Sequence, residues 1–334
     1  MRLGTGLFTA QRGPDDDREP SARYEELVAL THEIETAGLD SAWVSEHHFQ
    51  RDEYLSGTFP ALGAMAAATD EIEIGPCVAL GPLYDPIHLA EDAATVDLLS
   101  SDRLTLGLAI GSNPREFDVF GVPREERAER LEDLVAFLRA AWSEGPLEYE
   151  STFHDVPTDV TITPTPTGGS VPIVLGGAAK PAVRRAARIA DGWCAPSSLS
   201  LEGVRKRVED IRTVREKENV EGEFSIYVLE HGWVDDSREA AWEAMREGYF
   251  HLQRRYAEIF SGESVGELAD ERKRELKSEA TFGPPETVAE ELERYADAIG
   301  GDVHVIFRTY YPGVETGAMV DCVRRLGGEV APRL

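Results

Sequence analysis

Residues 171–195, VPIVLGGAAKPAVRRAARIADGWCA, contain one complete strand–helix–strand unit. The apolar run at residues 173–175 is typical of a buried strand, and residues 192–195 form a second such run. Between them, residues 181–190 carry a helical pattern. Short buried strands that alternate with helices are typical of parallel sheets. This unit therefore predicts an α/β fold.

The same alternation repeats along the chain. Further strands are predicted at residues 3–8, 41–44, 71–80, 104–110, 224–234 and 303–307, with helical patterns between them. Eight such units in 334 residues favour a (β/α)8 TIM barrel, a single domain spanning residues 1–334. A doubly wound open sheet is the alternative, but no GxGxxG motif follows the first strand.

Two segments interrupt this rhythm and predict insertions after strands four and seven. Residues 144–170 are rich in Gly, Pro and Thr and predict a small hairpin. Residues 261–282 are highly charged and predict a long mobile loop.

The charge balance excludes several classes of partner. The chain has 34 basic and 62 acidic residues, a net charge of −28 that repels nucleic acid and acidic membranes. Because the acidic residues are spread over the whole sequence, they predict adaptation to a cytoplasm of high salt. The absence of a long apolar segment or signal peptide favours a cytoplasmic protein. Cys77, Cys194 and Cys322 are predicted to be reduced, buried thiols.

Glu46, His47 and His48 follow the second predicted strand, at the end where a barrel carries its chemistry. Side chains alternate in direction along a strand, so one histidine is expected to face the pocket while its neighbour packs sideways. A neutral imidazole can act as a base, an acid or a hydrogen-bond donor. The alternatives are structural histidines at the rim, or a metal site completed by His231 or His304, which lack an obvious carboxylate framework.

The turn after the fifth predicted strand has the features of a phosphate site. Gly176 and Gly177 allow the backbone to approach a ligand closely, and the helix that begins near Pro181 presents free N–H groups. Basic residues cluster here: Lys180, Arg184, Arg185 and Arg188. The alternative is a tight turn followed by a solvated basic helix face.

Two other strand ends contain unusual residues. Gly111 and Ser112 leave strand four, and their small size suits a phosphate-bearing ligand, although the following Asn-Pro is also ordinary turn chemistry. Pro76 interrupts strand three just before Cys77 and Val78, which predicts a bulge.

On four stretches the chain resembles the bacterial luciferase-like monooxygenase family, and the resemblance covers nearly the whole sequence. In order, these stretches are WVSEHHF, IEIGPCVALGPLYDPIHLAEDAATVDLLSSDRLTLGLAIGSNPREFDVFG, VPIVLGGAAKPAVRRAARIADGW and TFGPPETVAEELERYADAIGGDVHVIFR. The resemblance implies a TIM barrel that binds reduced FMN at its C-terminal face. In one branch of the family the coenzyme is instead 8-hydroxy-5-deazaflavin (coenzyme F-420).

The resemblance also implies roles for individual residues. His47 would be the catalytic acid or base near the flavin, with Glu46 and His48 lining the pocket. Cys77 and Val78 would form a non-proline cis peptide under the isoalloxazine ring. The cofactor phosphate would lie against Gly176, Gly177, Ala178, Ala179 and Lys180, with Gly111 and Ser112 nearby. The 261–282 loop would act as a lid.

At one position expected to contact the cofactor phosphate, the chain departs from the family pattern. Many flavin-binding members have an arginine just before the glycine that ends strand four, where this chain has Ile110. Lys180 or Arg115 could compensate, or the coenzyme could differ. The EHH motif favours FMN over the deazaflavin.

The leading hypothesis is a monooxygenase that uses reduced FMN and O2 on a small aldehyde-like or ketone-like substrate. Hydride transfer from a deazaflavin and a non-catalytic flavin-binding partner barrel are the alternatives. The resemblance implies a homodimer formed through helices two and three. A flavin reductase is a possible supplier of reduced FMN.

Overall fold

The computed structural model describes residues 1–157, 159–300 and 302–334. Parallel strands alternate with helices along the chain. The strands are β1 (Arg2–Phe8), β2 (Ser41–Val44), β3 (Glu73–Pro76), β4 (Ala79–Leu80), β5 (Leu106–Ala109), β6 (Ile173–Gly176), β7 (Gly192–Ala195), β8 (Ser225–Val234), β9 (Thr281–Gly283) and β10 (His304–Arg308). The α-helices are α1 (Pro20–Thr36), α2 (Thr58–Ala67), α3 (Pro86–Ser100), α4 (Pro114–Phe120), α5 (Arg127–Ala141), α6 (Lys180–Ile189), α7 (Leu201–Glu218), α8 (Arg238–Ser261), α9 (Asp270–Glu279), α10 (Pro285–Ile299) and α11 (Thr316–Arg325).

The strands form a nearly closed barrel, which confirms the predicted (β/α)8 fold. They pair in parallel in the order β3-β2-β1-β10-β8-β7-β6-β5-β4, and β9 adds to the end of β8. β3 and β4 are the two halves of the predicted third strand, separated by the bulge at Cys77 and Val78. A parallel bridge between Ile74 of β3 and Leu104, just before β5, brings the two sides of this order together.

Side chains inside the barrel follow the register of its strands. On β8 and β10, the pairs Tyr227–His304, Leu229–Ile306 and His231–Arg308 are register partners, from the N-terminal to the C-terminal end of the barrel. Tyr227 and Ile306 belong to an apolar interior cluster that also contains Leu7, Trp43, Cys77, Val174 and Cys194. The interior is therefore packed below the C-terminal mouth, and its last layer consists of His231 and Arg308.

Residues 144–157 and 159–170 contain no strand, so the predicted hairpin is wrong. Prolines at positions 157, 164 and 166 lack the N–H donors that a hairpin ladder needs. One backbone hydrogen bond, from Leu147 N–H to Val160 O at 2.8 Å, joins the two arms. The segment is held instead by Asp133 of α5, which accepts hydrogen bonds from Tyr149, Ser151 and Thr152.

Residues 261–282 are more ordered than a long loop. They contain α9 and most of β9, which pairs with β8 from Gly232 to Val234. The sequence of α9, DERKRELKSE, buries only Leu276, so no apolar periodicity marked it as a helix. No helix among the described residues is long and apolar enough to span a bilayer.

Candidate active site

The imidazole of His47 lies just beyond the end of β2 and is held by a buried glutamate. His47 Nδ1 is 3.1 Å from Oε1 of Glu116, and the same oxygen accepts the backbone N–H of His48 at 2.9 Å. A carboxylate beside Nδ1 keeps the ring proton on that nitrogen. Nε2 is then left to exchange a proton with a ligand.

Glu116 reaches His47 because of the way α4 begins. The side chain of Asn113 accepts the N–H of Arg115 and caps the helix, and Pro114 occupies the first turn. Glu116 is therefore in the first turn, where the helix dipole favours a carboxylate. Its side chain is fully buried.

Glu46 and His48 contact a different set of neighbours. His48 Nε2 is 2.8 Å from Glu46 Oε1, and Glu46 Oε2 accepts hydrogen bonds from Thr58 at 3.0 Å and Tyr84 at 2.6 Å. Burial, followed by the nearby charge of Glu46, raises the pKa of the Tyr84 phenol well above its usual value. Glu46 thus connects the loop after β2 to Thr58 and Tyr84. The two adjacent histidines contact different carboxylates, His47 that of Glu116 and His48 that of Glu46.

Three aromatic rings lie around His47. The ring centroids of Tyr54, Tyr256 and Phe260 lie 5.0, 6.3 and 6.4 Å from that of the imidazole. Tyr256 and Phe260 belong to α8, so this helix covers part of the barrel mouth. A cover of this kind limits the access of water to His47.

The floor of the mouth is formed by the bulge after β3. The peptide bond between Cys77 and Val78 is cis, as the resemblance implied. Val78 packs against Gly176 so closely that a Cβ on that glycine would lie 3.0 Å from Val78 Cγ1. Val78 and Leu229 are only partly buried and form an apolar surface above the interior cluster.

Cys77 and Cys194 meet under this floor, although they are 117 positions apart in the sequence, with their sulfur atoms 2.9 Å apart. The hydrogen bond with Cys194, together with burial, raises the pKa of the Cys77 thiol. Cys77, Cys194 and Cys322 are buried and free.

The predicted phosphate turn, Gly176 to Ala179, lies beside Val78. Gly177 has a φ of +140°, which favours glycine. Trp193 Nε1 donates a hydrogen bond to Gly177 O at 2.9 Å, and Arg207 Nε donates to Ala178 O at 2.9 Å. The turn is thus held by one side chain of β7 and one of α7. Ala179 is the N-cap residue of α6 and makes no side-chain hydrogen bond to the helix.

Most of the basic residues near this turn are paired with acids of neighbouring helices. Lys180 Nζ is 3.3 Å from Asp210, and Arg207 is 3.1 Å from the same carboxylate. Arg185 and Arg188 form ion pairs with Glu132 and Glu218. Gly111 and Ser112 are half-buried, and Arg115 is exposed. A phosphate at this turn would therefore compete with Asp210 for Lys180 and Arg207.

Several buried polar atoms around the C-terminal mouth have no hydrogen-bond partner among the described residues. They are Thr9 Oγ1, Gln11 Oε1, Glu116 Oε2, His231 Nδ1 and Arg308 Nη2. Buried polar groups are nearly always hydrogen-bonded, so these atoms are available to a bound polar ligand. Together with the apolar floor, these atoms fit a planar heteroaromatic group such as a flavin ring.

The geometry does not favour a metal centre. Within the described parts of the chain, no three His, Cys, Asp or Glu residues are grouped to hold a metal ion. His304 Nε2 lies 2.7 Å from Ser41 Oγ near the N-terminal end of the barrel, far from His231 at the other end. A cleft of about 900 Å³ also opens at that N-terminal end, but its lining contains no histidine or cysteine.

Sequence reasoning missed Glu116, Tyr256 and Arg308. Glu116 could have been found, because an Asn-Pro helix start followed by an acidic residue lies in the GSNPREFDVFG stretch. Arg308 Nη1 donates to the hydroxyl of Tyr256 at 2.8 Å. The two residues are 52 positions apart, and no local pattern links them.

Comparison with known proteins gives consistent results. A model of the luciferase-like monooxygenase family matches residues 1–301. The oxygenase component of a flavin-dependent trigonelline monooxygenase from Acinetobacter baylyi is 26% identical over 248 residues, which cover 72% of this chain and 68% of that protein. An F420-dependent glucose-6-phosphate dehydrogenase from Beutenbergia cavernae is 32% identical over 210 residues, 60% of this chain and 58% of that protein. The crystal structure of monooxygenase RslO1 from Streptomyces bottropensis matches with a TM-score of 0.88 at 21% identity, over 99% of each chain.

Proposed function

Because the chain belongs to the luciferase-like monooxygenase family, we propose that it is a monooxygenase that uses reduced FMN and O2 on a small aldehyde or ketone. The observation that carries this proposal is the buried pair of His47 and Glu116 beside an apolar floor at the barrel mouth. The flavin dependence of the trigonelline enzyme supports the choice of cofactor. A separate flavin reductase would supply reduced FMN.

Different residues at the mouth would contact different parts of the cofactor. Val78 and Leu229 would contact the flavin ring, and the turn from Gly176 to Ala179 would lie against the phosphate with Lys180 and Arg207. Gly111 and Ser112 would complete the rim. When bound, reduced flavin supplies the electrons with which O2 is activated.

The chain's own residues would then control protons and water. Glu116 holds the His47 ring so that Nε2 faces the ligand, and Nε2 gives a proton to, or takes one from, the reacting oxygen. Tyr54, Tyr256 and Phe260 shield that nitrogen from solvent. The 261–282 segment, with α9 and β9, would serve as the lid.

The test of the catalytic assignment is His47→Ala, assayed with reduced FMN on a panel of aldehydes and ketones. We expect turnover to fall by about 10²- to 10⁴-fold, the range for loss of a general acid or base. His88→Ala is the matched control, because the side chain of His88 is 79% exposed on α3. Unchanged turnover in His47→Ala would contradict the assignment.

Deazaflavin-dependent hydride transfer is the second candidate, favoured by Ile110 at the position of the missing arginine and by the F420-dependent relative. Titration with FMN, reduced FMN and coenzyme F-420 in high salt, followed by tryptophan fluorescence, separates the two. Tightest binding of reduced FMN would support the monooxygenase. Binding of the deazaflavin alone would support hydride transfer. If none of them binds, a non-catalytic barrel becomes the better interpretation.

We also propose a homodimer formed through α2 and α3. Leu98 and Leu99 near the end of α3 are 47% and 58% exposed, which is unusual for adjacent leucines in a very acidic surface. Sedimentation velocity in high salt should show a dimer. The double variant Leu98→Glu, Leu99→Glu should sediment as a folded monomer, and a wild-type monomer would contradict the proposal.

A further inference from the structure

Arg308 and His231 occupy adjacent positions at the C-terminal end of the barrel interior. They are register partners on β10 and β8, one layer above Ile306 and Leu229. Both side chains are buried. The proposed catalytic role of His47 uses neither of them.

Arg308 has one unused donor. Its Nε donates to Tyr310 O at 3.0 Å and its Nη1 donates to Tyr256 at 2.8 Å. Its Nη2 is buried and has no partner in the described chain. A guanidinium can only donate, so an acceptor is required at this position.

His231 provides a second unused donor. The amide nitrogen of Gln253 lies 3.3 Å from His231 Nε2, which makes Nε2 the acceptor and leaves the ring proton on Nδ1. Nδ1 is buried and lacks a partner among the described residues. Burial, followed by the charge of Arg308, lowers the pKa of His231 well below its usual value, so the ring is neutral.

Among the described residues, no carboxylate forms an ion pair with Arg308. Besides burial, the groups that act most strongly on it are the phenols of Tyr256, Tyr54 and Tyr311. Arg23 is similarly buried but pairs with Glu53. Burying a cation without a counter-charge costs free energy. A shortage of acidic residues does not explain this arrangement, because the chain has 62 of them.

An apolar surface lies one layer below the pair. Leu229 precedes His231 by two positions on the same face of β8 and is only partly buried, as is Val78 across the floor. The apolar surface below the two donors is therefore not fully covered by the chain. An anion seated on this floor would meet Arg308 and His231 at its edge.

We propose that Arg308 and His231 form an anion site in the barrel mouth that binds a planar, delocalised anion through Nη2 and Nδ1. Two sources have this chemistry. One is the pyrimidine ring of reduced flavin, which carries a negative charge near neutral pH that oxidised flavin lacks. The other is a carboxylate or enolate of the substrate. The first source rests on the proposed function.

The experiment compares ligand pairs of similar shape that differ in whether they carry the delocalised anion. Dissociation constants are measured anaerobically in high salt for reduced against oxidised FMN, and for benzoate against benzamide. The variants are Arg308→Met and His231→Phe, each of which removes one unused donor. Arg294→Met, whose side chain is 61% exposed on α10, is the control for loss of one positive charge. Circular dichroism checks that each variant is folded.

We expect Arg308→Met to weaken binding of the member that carries the delocalised anion in one pair by about tenfold or more, with binding of the other member changed less than about threefold. Selective loss of reduced FMN identifies the flavin as the anion, and selective loss of benzoate identifies the substrate. His231→Phe should show the same selectivity with a smaller loss, and it decides the question if Arg308→Met does not fold. Equal weakening of both members, or no change in either pair, would overturn the anion site.

The wild-type protein separates this proposal from the proposed function. Binding of benzoate that depends on Arg308, without binding of either form of FMN, would contradict the flavin function and support the anion site. Binding of neither reduced FMN nor benzoate would overturn the anion site.

Discussion

At the scale of single residues, the contact between Glu116 and His47 makes a sharp prediction. Glu116→Gln keeps the size of the side chain and one acceptor, but it replaces the charged acceptor beside His47 Nδ1 with a neutral one. We expect kcat to fall by about 10- to 100-fold, with the affinity for cofactor little changed. Glu125→Gln, an exposed carboxylate in the turn before α5, is the control and should retain full activity.

Equal activity of the two variants would show that Glu116 has no influence on His47. A loss of cofactor affinity as large as the loss of kcat would indicate a structural role instead.

The residues at strand ends could be predicted from sequence, but their partners could not. Glu46, His47 and His48 follow a recognisable strand, whereas Glu116 is 69 positions away from His47. The basic residues after β6 show the opposite problem. Their clustering predicted a phosphate site, but Asp210, Glu132 and Glu218 on other helices pair with several of them. Charge clustering along a sequence does not reveal such compensation in space.

At the scale of elements, Glu230 connects the insertion after α8 to the barrel. This side chain of β8 points away from the interior and accepts hydrogen bonds from Thr281 of β9 at 3.1 Å and Tyr295 of α10 at 2.7 Å. Burial raises its pKa to about 7, although both hydrogen bonds act in the other direction. Glu230 is therefore protonated more readily in the folded protein than in the unfolded chain.

This difference makes stability depend on pH. The pKa of Glu230 rises from an ordinary 4.5 to about 7 on folding. Its contribution to the free energy of unfolding is therefore complete below pH 4.5 and is lost as the pH rises through about 7. Relative to Glu230→Gln, the wild type should lose about 2 kcal/mol of unfolding free energy between about pH 5.5 and about pH 8. Chemical denaturation of both proteins at the two pH values measures this difference in unfolding free energy.

Glu290→Gln is the matched control, since Glu290 is exposed on α10. Its unfolding free energy should follow that of the wild type at both pH values. If Glu230→Gln also follows the wild type, then Glu230 titrates as an ordinary exposed carboxylate.

The regular elements were predictable because their apolar positions repeat with the period of a buried strand or an amphipathic helix. α5 buries Leu131, Leu134, Val135 and Leu138, which have the spacing of one helix face. α9 has no such pattern, because its only buried residue is Leu276 and it is held by ion pairs such as Arg272 with Glu279. Elements held mainly by charge carry no hydrophobic pattern to detect.

At the scale of the whole molecule, eight alternating units were enough to predict the barrel, but not how it closes. β3 and β4 pair with different neighbours on either side of the cis bond, so one predicted strand forms both ends of the strand order. Pro76 predicted the bulge between them. The bridge between Ile74 and Leu104 that completes the cylinder depends on packing across the molecule, and a local pattern does not contain it.

The net charge of −28 leads to a prediction for the whole molecule. Acidic residues are spread along the whole sequence, so their mutual repulsion destabilises the folded state wherever salt does not screen it. Lowering KCl from about 1 M to about 0.01 M extends the screening length from about 3 Å to about 30 Å. We expect the midpoint of thermal unfolding to fall by about 5 °C or more over this range. Sucrose at the same osmolality, added to the low-salt sample, should restore little of the loss, because it does not screen charge. Restoration as complete as with KCl would point to solvent exclusion from the protein surface, and a midpoint independent of salt would contradict adaptation to a saline cytoplasm.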